Sequence, residues 1–289
     1  MHREEEGGRE SGTLYVVATP IGNLRDITLR ALDVLRSADT IAAEDTRVTR
    51  ALLSHHGISA RLISLHGHNE RDRVDQVAHL LTAGQDVALV SDAGTPAVSD
   101  PGARLVRELR ERGFRVVPIP GPSATIAALS VSGEECPHFL FCGFLPAKAA
   151  ARRKALHSLR SLPWALVLFE APHRVADCIQ DLRDVFGGER RVCMVRELTK
   201  LHETVFAGTL AEAPAWLAGP HQEKGEFVLV VGPAQATPDD SADEGDRVLR
   251  LLLHALPVSR AADLAAKITG GNRKALYRRA LDLREDTGD

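Results

Sequence analysis

Two adjacent carboxylates and an arginine, Glu44-Asp45-Thr46-Arg47, follow the apolar run Thr40-Ile41-Ala42-Ala43. His66-Gly67-His68-Asn69-Glu70 follows a second such run, Arg61 to Leu65. Carboxylates and imidazoles so placed could accept a proton from a substrate hydroxyl, which makes Glu44, Asp45, His68 and Glu70 candidate bases. The competing reading is helix capping by Asp45 and Asn69, each directly before a helical pattern, and the residue types fit both equally. His66 and His68 have an H-x-H spacing, but no companion motif supplies further ligands, so no metal is expected. Phe169-Glu170-Ala171-Pro172-His173-Arg174 and Val195-Arg196-Glu197-Leu198-Thr199-Lys200 put charges straight after two more apolar runs, and Lys224-Gly225-Glu226 stands before a third. Their recurrence marks one edge of a sheet.

Three loops rich in glycine and proline carry a second signal: Thr19 to Asn23, Ser91 to Gly102, and Pro118 to Ser123. Glycine lets a ligand approach the backbone closely, and proline keeps a loop from becoming helix. Ser123 could cap the next helix or bond a ligand. One such loop is an ordinary turn; three at one edge predict a cleft. None is a G-x-G-x-x-G fingerprint or a G-x-x-x-x-G-K-[ST] loop, which disfavours the commonest NAD and ATP readings. A ligand held by backbone groups, with few phosphates, fits better.

The elements that must position these loops alternate. Strand patterns at Leu14 to Ala18, Thr40 to Ala43, Arg61 to Leu65, Val87 to Val90 and Arg115 to Ile119 are separated by helical ones. Asp26 is the expected N-cap of the first helix, and Ser123 opens the last. Such alternation predicts a mostly parallel sheet covered on both faces, over residues 13–134. A second α/β domain is expected over 135–233, with strands at His138 to Cys142, Ala165 to Phe169, Arg191 to Val195, Glu203 to Ala207 and Phe227 to Val231, in a mixed sheet. Residues 234–246 read as an acidic linker without apolar period. Residues 247–289 read as a basic module of three short helices of helix-turn-helix type. Residues 1–12 read as disordered.

The 289 residues are 44% hydrophobic and 26% charged, an ordinary globular composition. No apolar run approaches the roughly 20 residues needed to span a bilayer, and the N-terminus has no signal-peptide core. Four cysteines without C-x-x-C or zinc spacing read as reduced thiols in a cytoplasmic protein. The net charge of -3 hides an asymmetry. Between Arg247 and Arg284 the acids are only Asp263 and Asp282, against bases that include Arg273, Lys274, Arg278 and Arg279. That local field suits a polyanion, although a solvated helical bundle has the same composition.

The segments LYVVATPIGNLRDIT, IAAEDTR, LHGHNE, ALVSDAGTPAVSDPG, VVPIPGPSA, FEAPHR, RELTK and KGEFVLVV, in this order, resemble the RsmI family. These are the bacterial 16S rRNA (cytidine 2′-O)-methyltransferases of the tetrapyrrole methylase superfamily. The resemblance runs from about Gly12 to Leu283. It implies two α/β domains with the cofactor cleft between them, folded S-adenosylmethionine (AdoMet) as methyl donor, and a homodimer. Its cofactor-binding positions carry over to Pro20 and Gly22; to Asp92, Ala93, Gly94, Thr95 and Pro96; and to Ser123 and Ala124. Phe169, Glu170, Glu226 and Phe227 would close over the cofactor from the second domain. Many members of the wider superfamily have Gly-Asp-Pro where this chain has Gly94-Thr95-Pro96, a departure that matches the ribosomal RNA branch.

The implied reaction methylates the ribose 2′-hydroxyl of a cytidine, position 1402 in the usual numbering, in 16S rRNA of the small subunit. Displacement at a sulfonium methyl depends on placing the nucleophile in line, and a base would remove the hydroxyl proton. The four candidates above stay open for that role. Arg47, Arg174 and Arg196 suit phosphate contacts, and the basic tail suits the backbone of folded RNA. Two rival functions stay open as well: a tetrapyrrole methyltransferase of porphyrinogen or precorrin type, and a non-catalytic RNA-binding assembly factor on the same fold.

Overall fold

The computed structural model describes residues 11–67, 69–135, 137–219, 224–234 and 238–285, with backbone alone at 238–244 and 285. Strands Thr13–Val17 (β1), Thr40–Ala43 (β2), Arg61–Ser64 (β3), Val87–Val90 (β4) and Arg115–Ile119 (β5) form one parallel sheet in the order β3-β2-β4-β1-β5. Every residue of β2 and β4 is buried, because a parallel sheet is covered on both sides. Helices Leu29–Ser37 (α1) and Thr46–His55 (α2) bring Ala31, Leu35, Leu52 and Leu53 onto one face, against Ile41 and Val90. Glu70–Thr82 (α3) and Ala103–Glu111 (α4) bring Val74, Leu81, Leu105 and Leu109 onto the other, against Leu14 and Leu89.

A second sheet holds Phe139–Phe144 (β6), Ala165–Glu170 (β7), Arg191–Arg196 (β8), Thr204–Thr209 (β9) and Phe227–Val231 (β10), in the order β6-β7-β10-β8-β9. Only β6 and β7 pair in parallel, so the sheet is mixed. Ala149–Leu159 (α6), Val175–Phe186 (α7) and Ala213–Leu217 (α8) cover one face through Leu156, Ile179, Leu182 and Ala213. The other face, with Val167, Val195 and Val230, is covered by Ala128 of the helix Ala124–Ser132 (α5). Cys178 and Cys193 are free thiols inside this half; burial pushes them up to about 12 and about 11, so both are protonated at neutral pH.

Helix α5 corrects the sequence-based division at 134/135. It follows the first sheet in the chain but packs on the second, so both sheets belong to one compact unit that ends at Pro233. A further unit begins at Ala234. Its helices are Pro238–Leu253 (α9), Val258–Thr269 (α10) and Arg273–Glu285 (α11), joined through Leu249, Ala261, Ala265, Leu276 and Ala280. The small alanines allow close helix contact. Gly270 ends α10 in the left-handed conformation, and Asn272 Oδ1 accepts from the N–H groups of Lys274 and Ala275 to start α11.

Most of the expected linker is helix. Proline is tolerated at the first helical position, where its missing N–H would have no partner. Farther along, Gly245 lies against Leu276, and Asp246 takes a paired hydrogen bond from Arg279. Composition could not show these contacts. Asp26 is not the N-cap of α1: it closes a short 3₁₀ turn, and Thr28 accepts from the Ala31 N–H instead. Of the segment 1–12, residues 1–10 lie outside the described residues; Gly12 is ordered, its N–H donating to the Leu81 carbonyl at 2.8 Å.

Candidate functional site

The loops that leave β1, β4 and β5 form one hydrogen-bonded rim. Thr19 and Gly94 exchange two backbone bonds of 2.9 and 3.0 Å. The buried Thr19 hydroxyl donates to the Ser91 carbonyl at 3.1 Å, and the Thr95 hydroxyl to the Pro122 carbonyl at 3.2 Å. Within the middle loop Gly94 takes φ +78°, and Ala97 and Ser99 take φ 67° and 66° although neither is glycine. Such strain persists only where surrounding contacts hold it, and it concentrates at functional loops.

A cavity of ≈ 410 Å³ opens between this rim and the edge of the second sheet. Ala93, Gly94, Thr95, Ser123 and Ala124 line it from the rim; Phe169, Glu170, Glu226 and Phe227 line it from the other side. Ser123 is the N-cap of α5 yet makes no side-chain capping bond, so its hydroxyl remains for a ligand. Pro20, Gly22, Asp92 and Pro96 are not among the lining residues. Gly22 packs across the cleft instead. A Cβ there would stand 2.5 Å from Lys200 Cγ and 3.0 Å from the Leu198 carbonyl oxygen.

Sequence reasoning passed over several lining residues. Ile21, Val98, Ser99 and Asp100 belong to loops already singled out, and taking each loop whole would have found them. Phe144 had no signal, because the strand pattern stops at Cys142, where β6 is irregular.

The candidate bases separate. Asp45 Oδ1 accepts from the Arg47 N–H at 2.8 Å as the cap of α2, and its carboxylate pairs with the Arg47 guanidinium at 2.6 Å. Those bonds hold Asp45 down at about 2. Glu70 Oε1 accepts from the N–H groups of Gly102 and Leu105, at 3.1 and 3.0 Å, so it caps α4 from outside. Asn69 does not cap α3 with its side chain; its Oδ1 accepts from the His66 N–H. His68 lies outside the described residues. Glu44 is different. Its carboxyl is pushed upward, chiefly by burial and next by the charge of Asp100. Asp100 itself is raised, first by burial.

Two of the arginines expected to meet phosphate are structural. Arg196 is buried and donates to the carbonyls of Lys224 and His202. Arg174 donates to the Leu145 carbonyl at 2.7 Å and pairs with buried Glu170 at 3.1 Å. Charges straight after a strand tie turns together here. Arg47 stays exposed beside Asp45. Arg273, Lys274, Arg278 and Arg279 are all exposed on α11, with Arg273 near Asp263 at 3.4 Å and Arg279 held by Asp246. Among the described residues no group of three or more His, Cys, Asp or Glu could hold a metal ion, and no helix is long and apolar enough to cross a membrane.

Residues 13–214 match the family model of the tetrapyrrole (corrin/porphyrin) methylases, and residues 239–284 match that of the RsmI C-terminal HTH domain. The chain is 50% identical to the ribosomal RNA small subunit methyltransferase I of Mesorhizobium japonicum, covering 96% of this chain and 94% of the relative. It is 47% identical to the protein of that name from Escherichia coli O157:H7, covering 98% and 99%. Among solved structures it resembles uroporphyrin-III-C-methyltransferase from Thermus thermophilus, with TM-score 0.53 and 22% identity, over 76% of this chain and 94% of that one. At that identity the likeness speaks for the fold alone.

Proposed function

The chain belongs to the tetrapyrrole methylase family, in its ribosomal RNA small subunit methyltransferase I branch, and from that premise we propose that it is an AdoMet-dependent ribose methyltransferase. Its substrate is the 2′-hydroxyl of a cytidine of 16S rRNA, position 1402 in the usual numbering, in the small subunit. It works in the cytoplasm as a homodimer. One observation carries the reading: relatives near 50% identity named for small-subunit rRNA methylation extend over almost the whole chain, helical module included.

The cavity fits the donor. It has the size of a small-molecule site, and its lining combines the aromatic Phe169, backbone of the Ala93–Thr95 turn and the uncommitted Ser123 hydroxyl. Ala93, Gly94, Thr95, Ser123, Ala124, Phe169, Glu170, Glu226 and Phe227 would hold AdoMet, which when bound supplies an electrophilic methyl group. Pro20, Gly22, Asp92 and Pro96 would shape the rim. The protein's own contribution is placement of the ribose and removal of its proton. Glu44 takes that proton: a raised carboxyl is a better base than Asp45, whose partners keep it low. Arg47, with Arg273, Lys274 and Arg278 on α11, meets RNA phosphates; these contacts position the substrate without reading its sequence.

Methyl-labelled AdoMet and small ribosomal subunits test the reading, with mass mapping of the rRNA nucleosides. One new 2′-O-methylcytidine is the expected product. Label in a porphyrinogen would replace the RNA reading with the small-molecule one. RNA binding without AdoMet affinity would make the chain an assembly factor.

A further inference from the structure

Strand β6 carries one residue too many. Phe141 pairs with Val167 and Phe144 with Phe169, so three steps along β6 match two along β7, and the register shifts at Cys142. In a regular strand, residues three apart point to opposite faces. The extra residue brings Phe141 and Phe144 to the same face, where both rings meet Phe169 in T-shaped contacts, with centroids 5.0 and 5.8 Å away. A bulge beside a site re-aims a side chain in this way. Gly143 takes φ +61° between them, and a Cβ there would come within 3.1 Å of Ser99 Oγ. The strand end is thereby seated against the strained rim loop. Phe141 is partly buried against the core, whereas Phe144 lines the cavity and is still 59% exposed.

We propose that Phe144 is a stacking platform for the target nucleobase, an unstacked pyrimidine laid on its ring beside the donor cavity. The proposal rests on the RNA-methyltransferase reading above. A donor held in a cavity between two sheets is reached most readily by a nucleotide that has left its stack, and the extruded base then loses a neighbour that an aromatic side chain replaces. A ring with most of its surface exposed keeps a face for that base. Stacking on carbon rings is tolerant of substitution among aromatics, so Tyr serves as well as Phe.

The test uses the full-length protein, small ribosomal subunits and calorimetric titration with AdoMet. Phe144→Ala is expected to raise KM for the subunit by about tenfold or more, with the AdoMet dissociation constant unchanged, and Phe144→Tyr to restore it. In Phe144→Trp, cytidine-containing single-stranded RNA quenches indole fluorescence beyond the change in the parent protein, whose Trp164 and Trp216 give the baseline. Weaker AdoMet binding in Phe144→Ala, with KM for the subunit intact, would overturn the proposal and assign the ring to the donor. Loss of a dimer with KM intact would also overturn it, assigning the ring to an interface between copies. A wild-type chain that methylates no RNA defeats the functional reading instead. The Phe144→Trp titration still decides the platform in that event: quenching by RNA keeps it, and an unchanged signal removes it.

Discussion

The backbone N–H of Asp45 donates to Oδ1 of Asp92 at 2.9 Å, tying the turn after β2 to the turn after β4. A reciprocal contact runs from the Asp92 N–H to Glu44 Oε2 at 3.5 Å. Together they keep Glu44 near Asp100, which lines the cavity, and one residue along the chain from the Ala93 turn is Asp92 itself. Burial disfavours ionisation of Glu44, and the charge of Asp100 beside it adds to that effect. The turn pairing therefore sets the position of Glu44, while burial and the charge of Asp100 outweigh the lowering effect of the Asp92 N–H and leave the carboxyl raised.

Methyl transfer should depend on Glu44 in its ionised form. Because burial and Asp100 raise its pKa, kcat/KM is expected to climb with pH through that raised value and to fall below it. Asp100→Asn removes one of the raising charges, so the acid limb moves to lower pH. Glu44→Gln should abolish the limb and lower kcat by about 10²- to 10⁴-fold, with AdoMet affinity retained. Single-turnover transfer across a pH series reads both effects. An unchanged acid limb in Glu44→Gln would dismiss it as the base.

Glu70 is expected to matter for folding rather than for chemistry. Helix α4 begins at Gly102, which has no side chain to accept its N–H groups, and the Glu70 carboxylate takes that place from α3. Glu70→Ala should cost about 1 kcal/mol, seen as a lower urea midpoint, while turnover per folded molecule stays within a few-fold. Lost turnover at unchanged stability would return Glu70 to the list of bases.

Gly22→Ala probes the junction across the cleft. The Lys200 side chain can move away from an added methyl, but the Leu198 carbonyl oxygen, 3.0 Å from it, is backbone. Overpacking of this kind costs about 1–3 kcal/mol, and a lower thermal midpoint should report it. Gly67→Ala is the control, since a Cβ there meets nothing within 4 Å. Equal effects at the two positions would contradict the packing argument.

The strands, most helices and the edge where the loops converge were legible because they rest on local pattern. Runs such as Val87 to Val90 are apolar for the reason a buried parallel strand must be. The cavity-lining turn at Ala93–Thr95 followed from its glycine and proline. What escaped depended on contacts distant in sequence. Nothing around Glu70 announces that the N–H groups it accepts from lie at Gly102 and Leu105. Arg196 looks like a phosphate ligand until its partners, the Lys224 and His202 carbonyls, are known. Phe144 was hidden because a one-residue bulge breaks the period on which strand reading depends. The acidic stretch before Arg247 lacks an apolar period, so its helix could be found only through the contacts of Gly245 and Asp246 with α11.

The basic module makes a prediction that separates two kinds of arginine on one helix. Binding that neutralises phosphates releases counterions, and each contact adds about 0.7–0.9 to the slope of log affinity against log salt. Lys274 and Arg278 are exposed on α11, so Lys274→Ala and Arg278→Ala should each flatten the slope by about that amount. Arg279 differs. Its guanidinium grips both oxygens of Asp246 on α9 at 2.5–2.9 Å and so ties two helices together, whereas the more exposed Arg47 pairs only within its own turn. Arg279→Ala should therefore leave the slope nearly unchanged and loosen the α9–α11 contact, at a cost of about 1 kcal/mol or less for a pair this exposed. Filter binding to 16S rRNA fragments at several salt concentrations measures the slopes, and proteolysis of the module measures its loosening. A slope change for Arg279→Ala as large as for Arg278→Ala would mean that RNA displaces Asp246 as its partner.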